Sequence, residues 1–508
     1  MTAKLRYWSA FGLGAIFLFA LFFRLDVTPW FWWDEGWTAS VARNWVERGH
    51  YGRLALGENS APGLEAALPL TGAVALSFKI FGIGLAQARA VVAIYLIAAL
   101  ILLFYLARRF YDRKVALGAC WALLLVSGIR YIHPLFMGRQ ILAEVPALFF
   151  LLAGYVCFLR SLERRPSALL GAIIFWSLAL ITKAQVLPFW AASLALPLVF
   201  AAVARRWRLA AYFAAACLGS VLLGYAWLAL IYRYLLPASS SVSGLLLTIA
   251  LVLDPIRRAI AALTVIQIGL PTLLGLVWAF RNEKFLSACE TPVAAVRFSY
   301  LILAGSWFFW WAAASTGWAR YLFPASFLAS IFVAAMASEW TQGFRIRAAL
   351  REAATNLMHR RRSGRDGRVL AALVLGVWSF GHAVADLNQG LIVKTNRSLF
   401  ETVDYLNTAT PAAAVIETYE SELFFFLKRR YHFPPDQTHV ELIRREDLNQ
   451  NRAIDYDPLA ADPDYLVVGT WCRYYKCYEP ALKAGAFKAV KTFGSYQIFQ
   501  RVRETAPN

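Results

Sequence analysis

Leu64-Glu65-Ala66-Ala67-Leu68-Pro69-Leu70-Thr71-Gly72-Ala73-Val74-Ala75-Leu76-Ser77-Phe78-Lys79-Ile80-Phe81 is the apolar run whose reading decides the fold. A membrane-crossing helix needs roughly 20 apolar residues, and each crossing reverses the side on which every later loop lies. Were this run to cross, the basic loops Arg108-Arg109-Phe110-Tyr111-Asp112-Arg113-Lys114 and Arg205-Arg206-Trp207-Arg208 would both lie outside. Read as an interfacial or re-entrant helix, it leaves those loops in the cytoplasm, together with Glu163-Arg164-Arg165, Arg281 to Lys284 and the long loop Arg345 to Arg368. The second reading puts every basic loop on the side that the positive-inside rule requires.

Composition supports a bundle around that segment. Of 508 residues, 59% are hydrophobic and 16% charged, a balance that excludes a soluble globular chain and indicates a polytopic membrane protein. The net charge of +20 comes from 51 basic against 31 acidic residues, which in a soluble protein would suggest nucleic-acid binding. Here the basic residues sit in short loops between apolar runs, so topology explains them and no nucleic-acid partner is expected. Lys4 and Arg6 precede an apolar run from Tyr7 to Phe23 that no small-residue cleavage site follows, so it reads as a retained first span.

Spans are expected at 7–27, 91–108, 115–132, 144–160, 167–182, 186–203, 209–233, 258–280, 296–313, 321–338 and 369–388. About eleven crossings, an odd number, carry a cytoplasmic N-terminus to an external C-terminus in a multi-pass plasma (inner) membrane protein. The expected fold is thus a polytopic α-helical bundle, residues 1–389, with a first external loop at 28–90 carrying juxtamembrane helices. A small extracytoplasmic α/β domain follows at 390–508. Ser239 to Ile256 would be external too, as a second surface helix.

In the C-terminal stretch, β-prone runs at Ala414 to Glu417, Tyr465 to Val468 and Tyr496 to Phe499 alternate with helical ones such as Glu420 to Tyr431. Cys472 and Cys477 lie there, and an external, oxidising location makes a local disulfide and a reduced pair equally open. A zinc site would need more ligands nearby. The other four cysteines read as packing residues.

With topology set, the polar residues that share the external face can be collected. The first loop supplies Asp34 and Glu35, within Trp30-Phe31-Trp32-Trp33-Asp34-Glu35-Gly36-Trp37, and then His50 and Tyr51. The loop before the fourth span supplies His133, Arg139 and Glu144. Lys183 follows the fifth span, and Arg320-Tyr321 opens the tenth. Ionisable groups at membrane depth are costly and mark functional sites or their partners. A carboxylate can take a proton from an acceptor hydroxyl, while Lys and Arg can hold a phosphate leaving group. An apolar groove beside them suits a lipid tail, so the chemistry implied is attack of a hydroxyl on a sugar carried by a lipid phosphate.

At these residues the sequence resembles the GT-C superfamily of polyprenyl-phosphate-sugar glycosyltransferases, in particular the branch holding protein O-mannosyltransferases and the lipid A aminoarabinose transferase. The resemblance rests on four elements in order: Asp34-Glu35 in the first external loop; Arg139 and Glu144 in an Arg-x4-acid pattern; Thr182-Lys183; and Arg320-Tyr321 with Pro324. Glu144 stands where many relatives carry Asp, and Ala184 follows Thr182-Lys183 where Gly is usual. In that family the segment matching Leu64 to Phe81 is a periplasmic juxtamembrane helix.

The resemblance implies an inverting transfer from a polyprenyl-phosphate-linked sugar to an acceptor hydroxyl, the acceptor being a lipid, glycan or protein. Asp34, Glu35 and Glu144 would be catalytic, with Asp34 acting as or supporting the general base and Glu35 helping to orient the acceptor. Lys183, Arg320 and, more weakly, Arg139 would hold the donor phosphate, and Tyr321, His50, Tyr51 and His133 would line the substrate site. No cofactor is required on this reading, and a divalent metal stays possible.

Structural readings stand beside these. Asp34 and Glu35 also suit the first turn of a helix, Arg139 and Glu144 a structural pair, and Lys183 and Arg320 snorkelling to the interface. Trp30, Trp32, Trp33 and Trp37 read as an interfacial belt. Two other functions compete: a transporter or flippase of a lipid-linked sugar, and a metal-dependent oligosaccharyltransferase of related fold. No internal repeat of the transporter kind is seen.

Overall fold

The computed structural model describes residues 14–63, 66–126, 132–236, 251–283, 289–358, 364–388, 392 and 397–503. The membrane region begins with helix α1 (14–22), then α2 (Trp33–Arg48), a hairpin of β1 (Arg53–Ala55) and β2 (Glu58–Ser60), and α3 (Leu68–Phe81). Next come α4 (Leu85–Phe110), α5 (Arg113–Val126), the short α6 (Pro134–Met137), α7 (Glu144–Glu163), α8 (Ala168–Thr182), α9 (Val186–Val203) and α10 (Trp207–Tyr234). After α11 (Pro255–Thr264), a π-turn at Val265–Gly269 leads into α12 (Leu270–Asn282). Then follow α13 (Pro292–Ala314), a 3-10 turn (Ala319–Leu322), α14 (Phe323–Trp340), α15 (Ile346–Met358) and α16 (Gly364–Asn388).

The deciding segment forms a helix shorter than a membrane span. Its helix α3 has 14 residues, about 21 Å at 1.5 Å per residue, short of the roughly 30 Å hydrocarbon core. It packs on α2 and α4 through Leu70, Val74 and Phe78, all buried. Leu64 and Glu65 lie outside the described residues. So does most of the surface helix expected over 239–256, of which 251–254 are irregular and Pro255 opens α11. Among the described residues, eight helical stretches are long and apolar enough to cross a membrane: α4, α7, α9, α10, α11 with α12, α13, the 3-10 turn with α14, and α16. The described parts of α1, α5 and α8 lie on the remaining expected spans.

Centre and rim of the bundle differ in what covers the apolar residues. The α14 and α7 spans are 89% and 78% buried by protein, whereas α16 and α10 are only 17% and 22% buried, their outward Leu, Val and Trp left for lipid. Close approach at the centre needs small residues. A side chain at Gly275 of α12 would meet the backbone of Val333 in α14, 2.8 Å from its amide nitrogen. Three buried hydroxyls meet at the centre, where Tyr155 Oη lies 2.7 Å from Ser193 Oγ and 3.3 Å from Ser299 Oγ. The basic loops gather at one end, where Arg109 pairs with Glu163, Arg297 with Glu283 at 3.2 Å, and Arg206 donates to the Cys289 carbonyl at 2.6 Å.

Beyond α16 the chain forms an α/β unit: α17 (Arg397–Thr408), β3 (Val415–Thr418), β4 (Arg430–His432), α18 (Asp436–Glu446), β5 (Tyr465–Val468), α19 (Thr470–Tyr475), α20 (Glu479–Lys483), β6 (Phe487–Phe493) and β7 (Tyr496–Arg501). The sheet order is β4-β3-β5-β7-β6, with β4, β3 and β5 parallel and β7 and β6 antiparallel. The helix expected over Glu420 to Tyr431 is corrected. That stretch holds a 3-10 turn (Ser421–Leu423) and then β4, because the turn lies flat on α2 and buries Leu423, Phe424 and Phe425 there. Tertiary burial overrides helical periodicity at this point.

This unit is docked on α2, the β1–β2 hairpin and α11 of the membrane region. Trp33 Nε1 donates to the Tyr419 carbonyl at 2.8 Å, Ser421 Oγ to the Trp33 carbonyl, and Arg43 to the Phe425 carbonyl at 2.8 Å. Arg53 pairs with Asp436 at 2.7 Å while sandwiched between the Trp37 and Phe433 rings, 4.4 Å from each centroid. At the far edge Arg257 of α11 donates to the Glu446 carbonyl at 3.1 Å and to Asp447 at 3.3 Å.

Candidate active site

Neighbouring residues on a helix point about 100° apart, so the adjacent carboxylates of α2 face different partners. Glu35 faces the bundle, fully buried. Its two oxygens take a bidentate pair from Arg89 of α4 at 2.9 and 3.0 Å, and they also accept from the amides of Trp32 at 2.8 Å and Ile141 at 2.9 Å. It thereby ties the first turn of α2 to α4 and to the loop after α6. Asp34 faces inward under the α/β unit and pairs with Arg320.

Arg320 rides on the 3-10 turn before α14, and its guanidinium lies 5.2 Å from the Tyr321 ring centroid and 5.3 Å from that of Trp318. Lys183, which ends α8 in extended conformation, places Nζ 2.9 Å from Glu144 Oε1 and 5.6 Å from the Tyr321 ring. Glu144 opens α7, where a carboxylate is favoured by the helix dipole. Four elements thus bring Asp34, Glu144, Lys183 and Arg320 together at the bundle end opposite the basic loops. None is more than 8% exposed. Buried charges persist only when paired, and here two cations balance two carboxylates.

The other expected site residues lie elsewhere. Arg139, fully buried, donates to the carbonyls of Ala20, Phe23 and Thr28 and to Thr28 Oγ1 at 2.8 Å, so its guanidinium clamps the chain between α1 and α2. His133 caps α6, accepting from the Leu135 amide at 3.2 Å, with Nε2 3.1 Å from the Leu124 carbonyl. Tyr51 is buried against Val41, Trp45 and Ala66 and donates to the Ala66 carbonyl. His50 is exposed beyond the far end of α2, whose last residue, Arg48, lies about 21 Å along the helix from Asp34.

The interfacial belt of tryptophans is also corrected. Trp33 and Trp37 are buried under the α/β unit in a cluster with Tyr419 and His439, because that unit covers them; Trp32 meets the Trp471 ring at 5.4 Å, and Trp30 alone of the four is exposed. Burial among these rings lowers the His439 pKa to about 4 and keeps the imidazole neutral.

Arg89 and the Tyr419 to Glu422 segment were missed in the sequence. An arginine inside an apolar span is itself the signal for the first. For the second no local signal exists, since the contact joins residues far apart in the chain. Among the described residues no group of three or more His, Cys, Asp and Glu side chains converges on a metal position. Cys472 and Cys477 are buried with their sulfurs 2.7 Å apart.

No family model and no curated protein matches the chain by sequence. Solved structures do match by shape. ArnT from Cupriavidus metallidurans bound to undecaprenyl phosphate superposes with a TM-score of 0.65 over 100% of both chains at 14% identity. The same protein in its apo state gives 0.62 over 98% of this chain and 100% of that one, also at 14% identity. The oligosaccharyltransferase AglB from Archaeoglobus fulgidus, in complex with an inhibitory peptide and a dolichol-phosphate, gives 0.55 at 12% identity over 100% of this chain and 75% of that one. The chain is a multi-pass membrane protein with the GT-C fold that ArnT and AglB share.

Proposed function

We propose that the protein is an inverting glycosyltransferase that moves a sugar from a polyprenyl-phosphate donor to an acceptor hydroxyl at the outer face of the membrane. The observation that carries this reading is the meeting of Asp34, Glu144, Lys183 and Arg320 at one end of the bundle, a base set beside two cations. A transporter would hold such charges near mid-membrane between broken helices. The fold shared with ArnT and AglB, seen with undecaprenyl phosphate and dolichol-phosphate, supports a donor of this class.

In the proposed reaction the acceptor oxygen attacks the anomeric carbon, the bond from that carbon to the phosphate oxygen breaks, and the hydroxyl proton passes to Asp34. The lipid phosphate leaves with one more negative charge than it had as a diester. Lys183 and Arg320 hold that charge in a site shielded from water, where fixed cations count for most. Both are ion-paired in this structure, Arg320 to Asp34 itself. Phosphate binding therefore exchanges one anion for another at Arg320 and frees Asp34 to act as a base. Glu144 orients Lys183, and Tyr321 lies beneath both cations. Glu35 serves as a positioning residue, holding α2 so that Asp34 faces the cations; Arg139 holds the approach to that helix.

The orientation follows from the basic loops: N-terminus in the cytoplasm, site and α/β unit outside. Native mass spectrometry of gently extracted protein tests the function. A co-purifying polyprenyl-phosphate sugar, lost in Lys183→Ala and Arg320→Ala, is expected. Absence of any such lipid, or binding indifferent to both substitutions, would overturn the proposal.

A further inference from the structure

The turn between α7 and α8 closes tightly at the end of the bundle that carries the basic loops. The amides of Arg164 and Arg165 both donate to the Arg160 carbonyl, at 3.2 and 3.0 Å, and the Ala168 amide donates to the Arg165 carbonyl at 2.8 Å. Arg160, Glu163, Arg164 and Arg165 line a cavity of about 290 Å³ at this turn. Glu163 is already neutralised by Arg109 of α4, and the Arg160 guanidinium lies 5.3 Å from the ring centroid of Tyr105, also on α4. Among the described residues, none of Arg160, Arg164 and Arg165 forms an ion pair, and all three are exposed. Leu170 and Ile174, four residues apart on α8 and so on one face of it, are 62% and 37% exposed, which starts an apolar stripe next to the cavity. The positive-inside rule explains arginines in this turn, but not an open cavity among three of them beside an apolar stripe.

We propose that this cavity binds the phosphodiester head group of an anionic phospholipid of the inner leaflet, with an acyl chain lying along Leu170 and Ile174. A guanidinium presents paired N–H donors to phosphate oxygens, and three of them around a carboxylate that already has its partner leave an uncompensated positive site. Basic pockets between membrane helices on the cytoplasmic side recognise lipid head groups in this way. A soluble anion would use the arginines but not the apolar stripe, so the pair of features favours a lipid. The turn also joins the two helices whose other ends carry Glu144 and Lys183, so the bound lipid braces the hairpin that presents that ion pair. The cavity is separate from the proposed transferase site and its ligand does not depend on that reading; the leaflet follows from the orientation given above.

The test is native mass spectrometry of the full-length protein titrated with phosphatidylglycerol or with phosphatidylcholine, read as an apparent Kd for the first lipid bound. The wild type should hold phosphatidylglycerol more tightly than phosphatidylcholine. Arg164→Gln combined with Arg165→Gln should weaken phosphatidylglycerol about 30-fold, a factor of about 5 for each charge removed near a membrane surface. Arg205→Gln combined with Arg208→Gln removes the same charge from the exposed start of α10 and should leave that binding unchanged. All four arginines are exposed, so both double variants keep the fold. Millimolar inorganic phosphate should not displace the lipid. Equal affinity for the two lipids, or equal weakening in the two double variants, would overturn the inference by reducing the cavity to general surface charge. Displacement by inorganic phosphate would overturn it by making the ligand a soluble anion.

Discussion

At the scale of single residues, Asp34 and Glu35 are adjacent carboxylates with different partners, Arg320 for the first and Arg89 for the second. Asp34→Asn should lower transfer by about 10²–10⁴-fold, the range for a lost general base, while binding of undecaprenyl phosphate is kept or tightened because Arg320 no longer holds a carboxylate. Lys183→Ala should instead weaken that binding. Loss of binding in Asp34→Asn with retention in Lys183→Ala would reverse the roles. Arg89→Met leaves Glu35 buried and unpaired, and should cost about 3–5 kcal/mol in thermal unfolding; adding Glu35→Gln should recover part of it, because the stranded charge is then gone. A double variant no more stable than Arg89→Met would deny that the pair is a strut. Chemistry type and order along the chain made Asp34, Glu144, Lys183 and Arg320 legible in the sequence as one group. Side-chain direction was not legible: Arg139 carries the same charge as Arg320, and only the carbonyls of Ala20, Phe23 and Thr28 around it divert it from the cluster.

At the scale of elements, charge balance across loops was enough to read α3 as non-crossing, since one extra crossing would have misplaced two basic loops at once. The 3-10 turn at Ser421–Leu423 was illegible for the opposite reason: its conformation depends on a helix almost four hundred residues earlier in the chain. Gly36 is the contact that permits this. A Cβ there would lie 2.2 Å from the Ser421 carbonyl oxygen and 2.5 Å from the Glu422 Cα, both backbone atoms that cannot swing aside. Gly36→Ala should therefore cost about 1–3 kcal/mol by overpacking and loosen the α/β unit from α2. The expected readout is faster proteolytic cleavage within residues 397–503, with the membrane helices still protected. Gly376→Ala on α16, where nothing lies within 4 Å, is the control and should leave cleavage unchanged. Equal cleavage in both variants would mean that the unit is held elsewhere.

At the scale of the whole molecule, the bundle is polarised: basic loops at one end, the paired charges and the α/β unit at the other. On the proposed topology eleven spans cross in turn, with α2, α3, α6 and α15 lying aside and α11 and α12 forming one span, so the start of α1 and the α/β unit lie on opposite faces. Arg164, in the loop between α7 and α8, and Lys483, at the end of α20, are both exposed and mark the two faces. In intact cells a membrane-impermeant maleimide should modify Lys483→Cys directly and Arg164→Cys only after permeabilisation, read against the unsubstituted protein, whose described cysteines are all buried or half-buried. The reverse pattern would turn the site toward the cytoplasm and require a donor presented there. Labelling of both from outside would require an even number of crossings between Arg164 and Lys483 in place of the seven proposed, so that one of the helices from α8 to α16 would not span. Because the donor phosphate can meet Lys183 and Arg320 only from the leaflet on which they open, this orientation also fixes where the lipid-linked sugar must be delivered before transfer.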